Sequence, residues 1–288
     1  MQRFQPCPTD RDIIKRMKQS LLDADMTSRI QADFAKTFEQ IGMVREKAEE
    51  LANDILHIIP DSWSREDFEH KKHQFLTQAR IAWGGNFLDA MAQSMQWRAE
   101  LIWSQLNPYI EDSTFPLLDF GWGDGQVGQT IADKNRRMVE IFDIVPFPHP
   151  SVRLPVQAYD GKRIPRPDRH YHDSVATNVL HHEVDNDNCL KELQRLTQKR
   201  IILIETVPVW ADTEGIKRDF WRTFMNDVMW NSILKKPGTK IPIPWAYRTP
   251  QKWEEALEKI GLKIIASEDL WVDQKTIQDT HHLLVGDF

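Results

Sequence analysis

The sequence predicts an α/β protein in which a doubly wound sheet follows an all-helical N-terminal region. Up to residue 106 the apolar residues recur at helical spacing and no strand pattern occurs. After Pro108, short apolar runs alternate with amphipathic segments, which is typical of a parallel sheet with helices on its faces. We therefore expect a helical region over residues 1–110 and a sheet domain over 111–288, with a helical insertion near 210–260.

The individual elements follow from the same patterns. Breaks at Gly42, at residues 59–62 and at Asn107-Pro108 divide the N-terminal region into four or five helices, the last over residues 78–106. Apolar runs predict parallel strands at 116–120, 138–143, 156–159, 174–180 and 201–205, and a closing antiparallel pair at 262–266 and 281–285. Four prolines between 146 and 155 predict an extended crossover there.

Composition limits the function classes. The 288 residues include 37 Lys plus Arg against 43 Asp plus Glu, a net charge of −6, which argues against a broad nucleic-acid surface. With 41% hydrophobic residues, the chain buries a real core, which excludes disordered and fibrous proteins. We expect a cytoplasmic protein without a membrane span, because no 18-residue apolar stretch and no signal-peptide pattern occur.

The sequence contains no pattern typical of a metal site or of a disulfide framework. The two cysteines, Cys7 and Cys189, are too far apart for a paired-ligand spacing. The polar run at 168–173 precedes a predicted buried strand at the opposite end of the sheet, and His70 and His73 lack a carboxylate partner. We therefore predict no metal site, a solvated turn at 168–173, and surface positions for His70 and His73.

Residues 117–128 predict a strand, a glycine-rich turn and a helix. Glycines let the backbone approach a ligand, and a helix N-terminus offers free N–H groups. A G-x-G-x-x-G pattern starting at Gly123, with Asp143 twenty residues later, also fits a dinucleotide site, so the turn alone leaves two ligands open. Gly121, however, directly follows the strand, and Asp119 stands within the strand end. An acid there suits a cationic ligand better than a pyrophosphate.

Residues 118–125, Leu-Asp-Phe-Gly-Trp-Gly-Asp-Gly, resemble the first motif of class I S-adenosylmethionine-dependent methyltransferases. Three later segments resemble further motifs of this family in the family's order: 141–144, 159–165 and 178–182. The resemblance covers residues 115–285 and implies a Rossmann-like sheet that ends in an antiparallel hairpin. It also implies S-adenosylmethionine as cofactor and S-adenosylhomocysteine as product. Trp122 and Asp124 depart from the pattern, because the family has small or hydroxyl residues there.

The resemblance assigns roles to individual residues. The glycine turn would pass beneath the methionine part of the cofactor, Asp119 would face its amino group, and Asp143 would hold both ribose hydroxyls. Ile144 would lie on the adenine, and Asp160 would accept a hydrogen bond from the adenine amino group. The predicted cofactor site as a whole consists of Asp119, Gly121, Trp122, Gly123, Gly125, Asp143, Ile144, Asp160, Gly161, Asn178 and Leu180.

Methyl transfer from a sulfonium mainly requires positioning of the acceptor and, where needed, removal of a proton. His181 and His182 follow the fourth strand and would lie beside the cofactor, so both are candidate general bases. The alternative is that this pair caps the strand and packs locally. Substrate walls are predicted from aromatic and apolar residues outside the core, which could equally hold the helical region to the sheet: Trp221, Phe224, Met225, Trp245 and Tyr247.

The sequence thus predicts a methyltransferase of small-molecule biosynthesis that methylates an apolar or aromatic acceptor by in-line displacement. The helical N-terminal region over 1–110 is expected to form a cap that closes over this acceptor. A different hypothesis is a non-catalytic binding or scaffolding protein of the same fold, motivated by Trp122 and Asp124, with the N-terminal helices as a homodimer or partner surface. An NAD-dependent oxidoreductase is the third hypothesis, although no Tyr-x-x-x-Lys pattern occurs.

Overall fold

A computed structural model describes the following residues of the chain: 15–19, 21–62, 65–82, 87–121, 123–183, 185–208, 213–233, 241, 243–244, 246–274 and 277–288. The described helices are α1 (Ala24–Gln40), α2 (Arg45–Asp61), α3 (Arg65–Ala82), α4 (Phe87–Leu106), α5 (Gln126–Asn135), α6 (Asn186–Leu196), α7 (Thr213–Val228) and α8 (Pro250–Lys259). The strands are β1 (Leu117–Phe120), β2 (Val139–Asp143), β3 (Val156–Ala158), β4 (Tyr171–Thr177), β5 (Thr197–Thr206), β6 (Lys263–Trp271) and β7 (His281–Asp287).

The chain divides into two compact units, each made of three segments. The first unit comprises Met1–Ser94, Pro208–Trp245 and Val272–Asp279, and the second comprises Met95–Val207, Ala246–Trp271 and Thr280–Phe288. The sequence prediction divided the chain near residue 110, whereas the first division of the structure falls within α4. No helix among the described residues combines the length and the apolar character needed to cross a bilayer.

In the N-terminal region the predicted helix over 78–106 overlaps the end of α3 and the whole of α4. The first of them begins already at Arg65.

The core of the first unit is built on the amphipathic faces of α1 and α2. Helix α1 begins at Asp23, whose side chain accepts a hydrogen bond from the Met26 backbone N–H at 3.1 Å. Along α1, Ile30, Phe34 and Phe38 recur at helical spacing and are fully buried. The spacing that predicted a helix therefore also identifies the buried face.

A polar network crosses the interior of this unit. The guanidinium of Arg222, on α7, binds both carboxylate oxygens of Asp33 on α1. The amide of Asn226, one turn further along α7, donates to Asp279 Oδ1 at 3.0 Å. Burial raises the pKa of Asp279 to about 8, even though the Asn226 hydrogen bond and Arg222 act in the opposite direction.

We expect Asp279→Asn to stabilise the protein above neutral pH. Unfolded Asp279 releases its proton near pH 4, whereas the folded state retains it up to about pH 8, so its contribution to the free energy of unfolding falls between these values. Asparagine keeps an oxygen for Asn226 and has no charge to bury. Urea denaturation should show that the free energy of unfolding of Asp279→Asn exceeds that of the wild type by about 1–3 kcal/mol at pH 8 and by little at pH 4. Exposed Asp25→Asn serves as the control, and an equal gain at both pH values would contradict the assignment.

The second unit contains a seven-stranded sheet of order β3-β2-β1-β4-β5-β7-β6. The five strands β1 to β5 pair in parallel, and β7 pairs antiparallel with both β5 and β6. The predicted fold class, a Rossmann-like doubly wound sheet with a closing antiparallel pair, is confirmed. The proline-rich segment between β2 and β3 contains no helix, as the sequence predicted.

Both faces of the sheet are covered. On one face α4 and α5 pack against alternating strand residues in a single apolar cluster that includes Ile102, Val127, Ile141, Val175 and Ile204. Helices α6 and α8 pack against β4 to β7, and their buried residues lie outside that cluster, as expected for helices on the other face.

The parallel register aligns the carboxyl ends of the central strands. Phe120, the last residue of β1, lies level with Phe142 of β2 on one side and Ala176 of β4 on the other. The segments that follow β1, β2 and β4 therefore begin at the same edge of the sheet. In open α/β sheets this edge carries the ligand crevice.

Candidate active site

The segment after β1 is the predicted glycine turn. Gly121 and Gly125 have φ angles of 83° and 74°, in the left-handed region that favours glycine, and α5 begins directly afterwards at Gln126. The Asp124 side chain accepts from the Gln126 backbone N–H at 2.9 Å and so closes the turn locally. The predicted strand, turn and helix are confirmed, whereas Trp122 lies outside the described residues.

Packing within the chain explains why these positions are glycines. A Cβ at Gly121 would lie 2.0 Å from Val179 Cγ2, and a Cβ at Gly123 would lie 2.3 Å from the Phe147 ring. Neither distance is sterically allowed. Because the turn needs glycine for its own packing, the glycines by themselves do not indicate a ligand.

Asp119 is the unusual group beside the turn. It is the third residue of β1 and has 0% exposure. Among the described residues neither carboxylate oxygen has a partner of normal hydrogen-bond geometry, although the Gly128 backbone N–H lies close enough to favour the ionised form. Burial raises its pKa well above the usual range, with smaller contributions from Asp124 and Asp143, against a lowering by the Gly128 backbone N–H. A buried carboxyl group in this state gains from any cation that approaches it.

Asp143 and Ile144 stand at the carboxyl end of β2. The Asp143 carboxylate is buried, and its Oδ1 accepts from the Val145 backbone N–H at 2.6 Å. Its carbonyl accepts from the Tyr159 N–H, directly after β3, at 3.2 Å. The Ile144 side chain is 36% exposed and lies 3.4 Å from where a Cβ of Gly161 would be. The structure thus brings together the predicted adenosine residues of β2 and of the turn after β3.

Asp160 lies in that turn and is exposed. Its Oδ1 accepts from the backbone N–H groups of Lys162 and Arg163 at 2.9 and 3.0 Å. These two hydrogen bonds lower the pKa of the carboxyl group. Asp160 therefore fixes the conformation of its own turn with one oxygen.

The end of β4 differs from the prediction. The predicted strand over 174–180 begins earlier, at Tyr171, and ends at Thr177, because Asn178 adopts a left-handed φ of 51°. The Asn178 backbone N–H donates to the Ile204 carbonyl at 2.6 Å, and a 3₁₀ turn over Leu180–His182 follows. Leu180 is fully buried, whereas Asn178 is partly exposed.

Glu205, near the end of β5, contacts predicted site residues, and the sequence prediction missed it. It is fully buried, and its Oε1 accepts from the backbone N–H groups of Val179 and Leu180 at 3.1 and 2.8 Å. Its Oε2 lies 2.6 Å from Nδ1 of His181. The available signal was an acid at the end of the otherwise apolar run over 201–205.

The predicted catalytic histidines lie beside this carboxylate. The His181 ring is almost completely buried and contacts the His182 ring at a centroid distance of 4.2 Å. The His181 ring also stacks on the Tyr247 ring, with a centroid distance of 5.3 Å and an interplanar angle of 27°. The second unit therefore brings together the two predicted catalytic residues, His181 and His182, and one predicted substrate residue, Tyr247.

The remaining predicted substrate residues belong to the first unit or lie outside the described residues. Trp245 lies outside the described residues, and Trp221, Phe224 and Met225 belong to α7 of the first unit. There the Trp221 ring packs edge-on against Phe224 at 6.0 Å. Phe224 and Met225 are fully buried.

No family model and no curated protein matches the sequence. Solved structures with a similar arrangement include the [4+2]-cyclase SpnF, with 15% identity and a TM-score of 0.47 over 68% of this chain and 81% of that chain. Magnesium protoporphyrin IX methyltransferase from Synechocystis PCC 6803, with bound SAH, is 14% identical, with a TM-score of 0.44 over 67% of this chain and 83% of that chain.

A SAM-dependent methyltransferase from Aquifex aeolicus is 13% identical, with a TM-score of 0.42 over 64% of this chain and 87% of that chain. These likenesses concern the fold. Because a fold by itself does not determine function, the function has to follow from the residues of the chain itself.

The glycine turn itself is testable by comparing two glycines of positive φ. Alanine at Gly261, where φ is 90° and nothing lies within 4 Å, should cost about 1–2 kcal/mol of unfolding free energy from backbone strain alone. Alanine at Gly121 should cost about 1–3 kcal/mol more, because it also collides with Val179. Urea denaturation of both variants measures the difference, and equal costs would show that the turn is packed more loosely than described.

Proposed function

We propose that the chain binds S-adenosylmethionine at the carboxyl ends of β1 and β2 and transfers its methyl group to a small molecule. Asp119 is the observation that carries this proposal. A fully buried carboxyl group without a hydrogen bond from the described residues, beside a glycine turn, matches a ligand with positive charge. S-adenosylmethionine carries both an ammonium and a sulfonium group.

The neighbouring residues also fit the ligand. Asp143 is the residue for the two ribose hydroxyls, because a carboxylate matches a pair of vicinal donors. Ile144 offers a partly exposed apolar surface for the adenine, and Asp160 lies in the adjoining turn with an exposed carboxylate. When bound, the cofactor supplies a methyl carbon on a positively charged sulfur.

The acceptor proposed is a small apolar or aromatic molecule, with His181 and His182 as candidate bases. Support comes from the aromatic ring of Tyr247 stacked on His181 and from the carboxylate of Glu205 behind it. The homodimer through the N-terminal helices and the cytoplasmic location stay predictions of the sequence.

The same residues give less support to the two alternative functions. A dinucleotide would bring a pyrophosphate towards buried Asp119, where a second negative charge would further disfavour the ionised carboxylate. The scaffold hypothesis was motivated partly by Asp124, and the hydrogen bond from the Gln126 N–H gives that residue a local role in the turn.

Calorimetric titration tests the proposal, after a check for copurified ligand. We expect wild-type protein to bind S-adenosylmethionine and S-adenosylhomocysteine in the micromolar range and not to bind NAD. Asp143→Ala should weaken both affinities by about tenfold or more, because charge-assisted hydrogen bonds are lost. Asp168→Ala is the matched control, since this carboxylate lies in the same unit, is 69% exposed and pairs with Arg195.

Each outcome separates the hypotheses. Ligand-free protein that binds neither compound contradicts the proposed function, and unchanged affinity in Asp143→Ala contradicts the site. Binding of NAD alone favours the oxidoreductase. Cofactor binding without methyl loss across acceptor panels, together with a specific partner protein, favours the scaffold.

A further inference from the structure

Glu183 directly follows the 3₁₀ turn over Leu180–His182, at the same edge of the sheet as the proposed cofactor site. Its backbone N–H donates to the Leu180 carbonyl at 3.1 Å, which attaches the residue to the turn. The side chain is half-buried, and its carboxylate accepts no hydrogen bond from the described residues. Carboxylates in such positions normally have hydrogen-bond partners. Glu183 is therefore a charged group that the described residues leave uncompensated.

The charges that act on Glu183 are negative. Burial raises the pKa of its carboxyl group above the usual range, and the charges of Asp143, at the end of β2, and Asp185, at the start of α6, raise it further. The charge of Asp143 acts in the same direction on Asp119 of β1, where burial is the main cause. Carboxyl groups from β1, β2 and the segment after β4 thus act on one another at this edge.

The other titratable groups around Glu183 do not balance these charges. Tyr159, after β3, and Cys189, on α6, are both within reach of its charge, and burial raises the pKa of each, so both are neutral at physiological pH. On its own segment the neighbouring titratable groups are His181 and His182.

Two further observations connect this group of carboxylates with a ligand. Asp119 is fully buried, and neither of its oxygens has a hydrogen-bond partner among the described residues, which is costly unless a cation approaches. The segment that carries Glu183 also touches the glycine turn, because Val179 occupies the space that a Cβ of Gly121 would need. The carboxylates therefore surround the place where the proposed cofactor binds.

We propose that Glu183 makes the cofactor site selective for charge, favouring the sulfonium of S-adenosylmethionine over the uncharged thioether of S-adenosylhomocysteine. This inference rests on the proposed function and deepens it, because it provides a means of product release. In the transfer, the methyl carbon bonds to the acceptor atom, and the electron pair of the broken carbon–sulfur bond stays on sulfur. The positive charge passes to the acceptor or to the proton that the acceptor releases. The attraction between sulfur and the carboxylates ends with the transfer.

Calorimetric titration of wild-type protein and Glu183→Gln tests the selectivity. The probes are S-adenosylmethionine, S-adenosylhomocysteine and sinefungin, which carries an ammonium group in place of the sulfonium methyl. We expect the wild type to bind S-adenosylmethionine several-fold more tightly than S-adenosylhomocysteine. Glutamine keeps the size of the side chain without its charge, so both cationic probes should lose about threefold to tenfold in affinity and S-adenosylhomocysteine less than about twofold. An equal change for all three probes overturns the proposal, because a merely structural role would act on them alike.

The pH dependence of the wild type is a second measurement that needs no variant. A glutamate ionises near pH 4.5 in the absence of neighbours, and the pKa of Glu183 is raised above this value. Its charge is therefore lost at low pH, and the preference for S-adenosylmethionine over S-adenosylhomocysteine should increase as the pH rises from this value towards neutrality. A preference that stays constant over this range contradicts the role of Glu183, and so does an equally steep increase in Glu183→Gln.

Asp168→Asn is the matched control, since it also removes one negative charge from the same unit, at an exposed carboxylate that pairs with Arg195. It should leave the three affinities unchanged. The outcomes keep the two proposals apart. Binding of none of the probes to ligand-free wild-type protein contradicts the proposed function and this inference with it, whereas equal affinities for S-adenosylmethionine and S-adenosylhomocysteine contradict the charge selectivity alone.

Discussion

Strand β1 is hydrogen-bonded on both sides to parallel strands, and this pairing determines where the candidate site residues lie. Because Phe120 is level with Phe142 and Ala176, the glycine turn and the segments that begin at Asp143 and Asn178 leave the sheet at one edge. The next pairing, β4 with β5, continues the same edge as far as Glu205. Residues separated by up to 86 positions thus meet through backbone register alone.

Two buried carboxyl groups at this edge show opposite hydrogen-bonding states. Asp119 lies on the face covered by α5 and has no hydrogen bond from the described residues, whereas Glu205 lies on the other face and accepts from two backbone N–H groups and His181. A satisfied carboxylate can hold the groups that donate to it in one arrangement. An unsatisfied buried carboxyl group is costly, and for that reason the proposed cofactor site is placed beside Asp119.

Elements whose conformation depends on residues close in the sequence could be predicted. Features that depend on hydrogen bonds to residues far away in the sequence could not. The apolar strands and the glycine turn follow from residues within a few positions of each other. The end of β4 is different, because the left-handed Asn178 donates its N–H to Ile204 on the next strand. Glu205 likewise finds its partners 24 to 26 residues away, so its role required the pairing of β4 with β5. The compact units could not be predicted either, since each combines three separate segments.

The electrostatics of the edge connect ligand charge to protonation. Burial raises the pKa of Asp119, and the carboxylates of Asp124 and Asp143 raise it further. Burial and the charges of Asp143 and Asp185 raise the pKa of Glu183 in the same way. A cation bound among these groups would favour their ionised forms, and by linkage the ionised forms would favour the cation. A pyrophosphate would act in the opposite direction at each of them. The charge of the edge therefore discriminates between two ligands that a glycine turn alone accepts equally well.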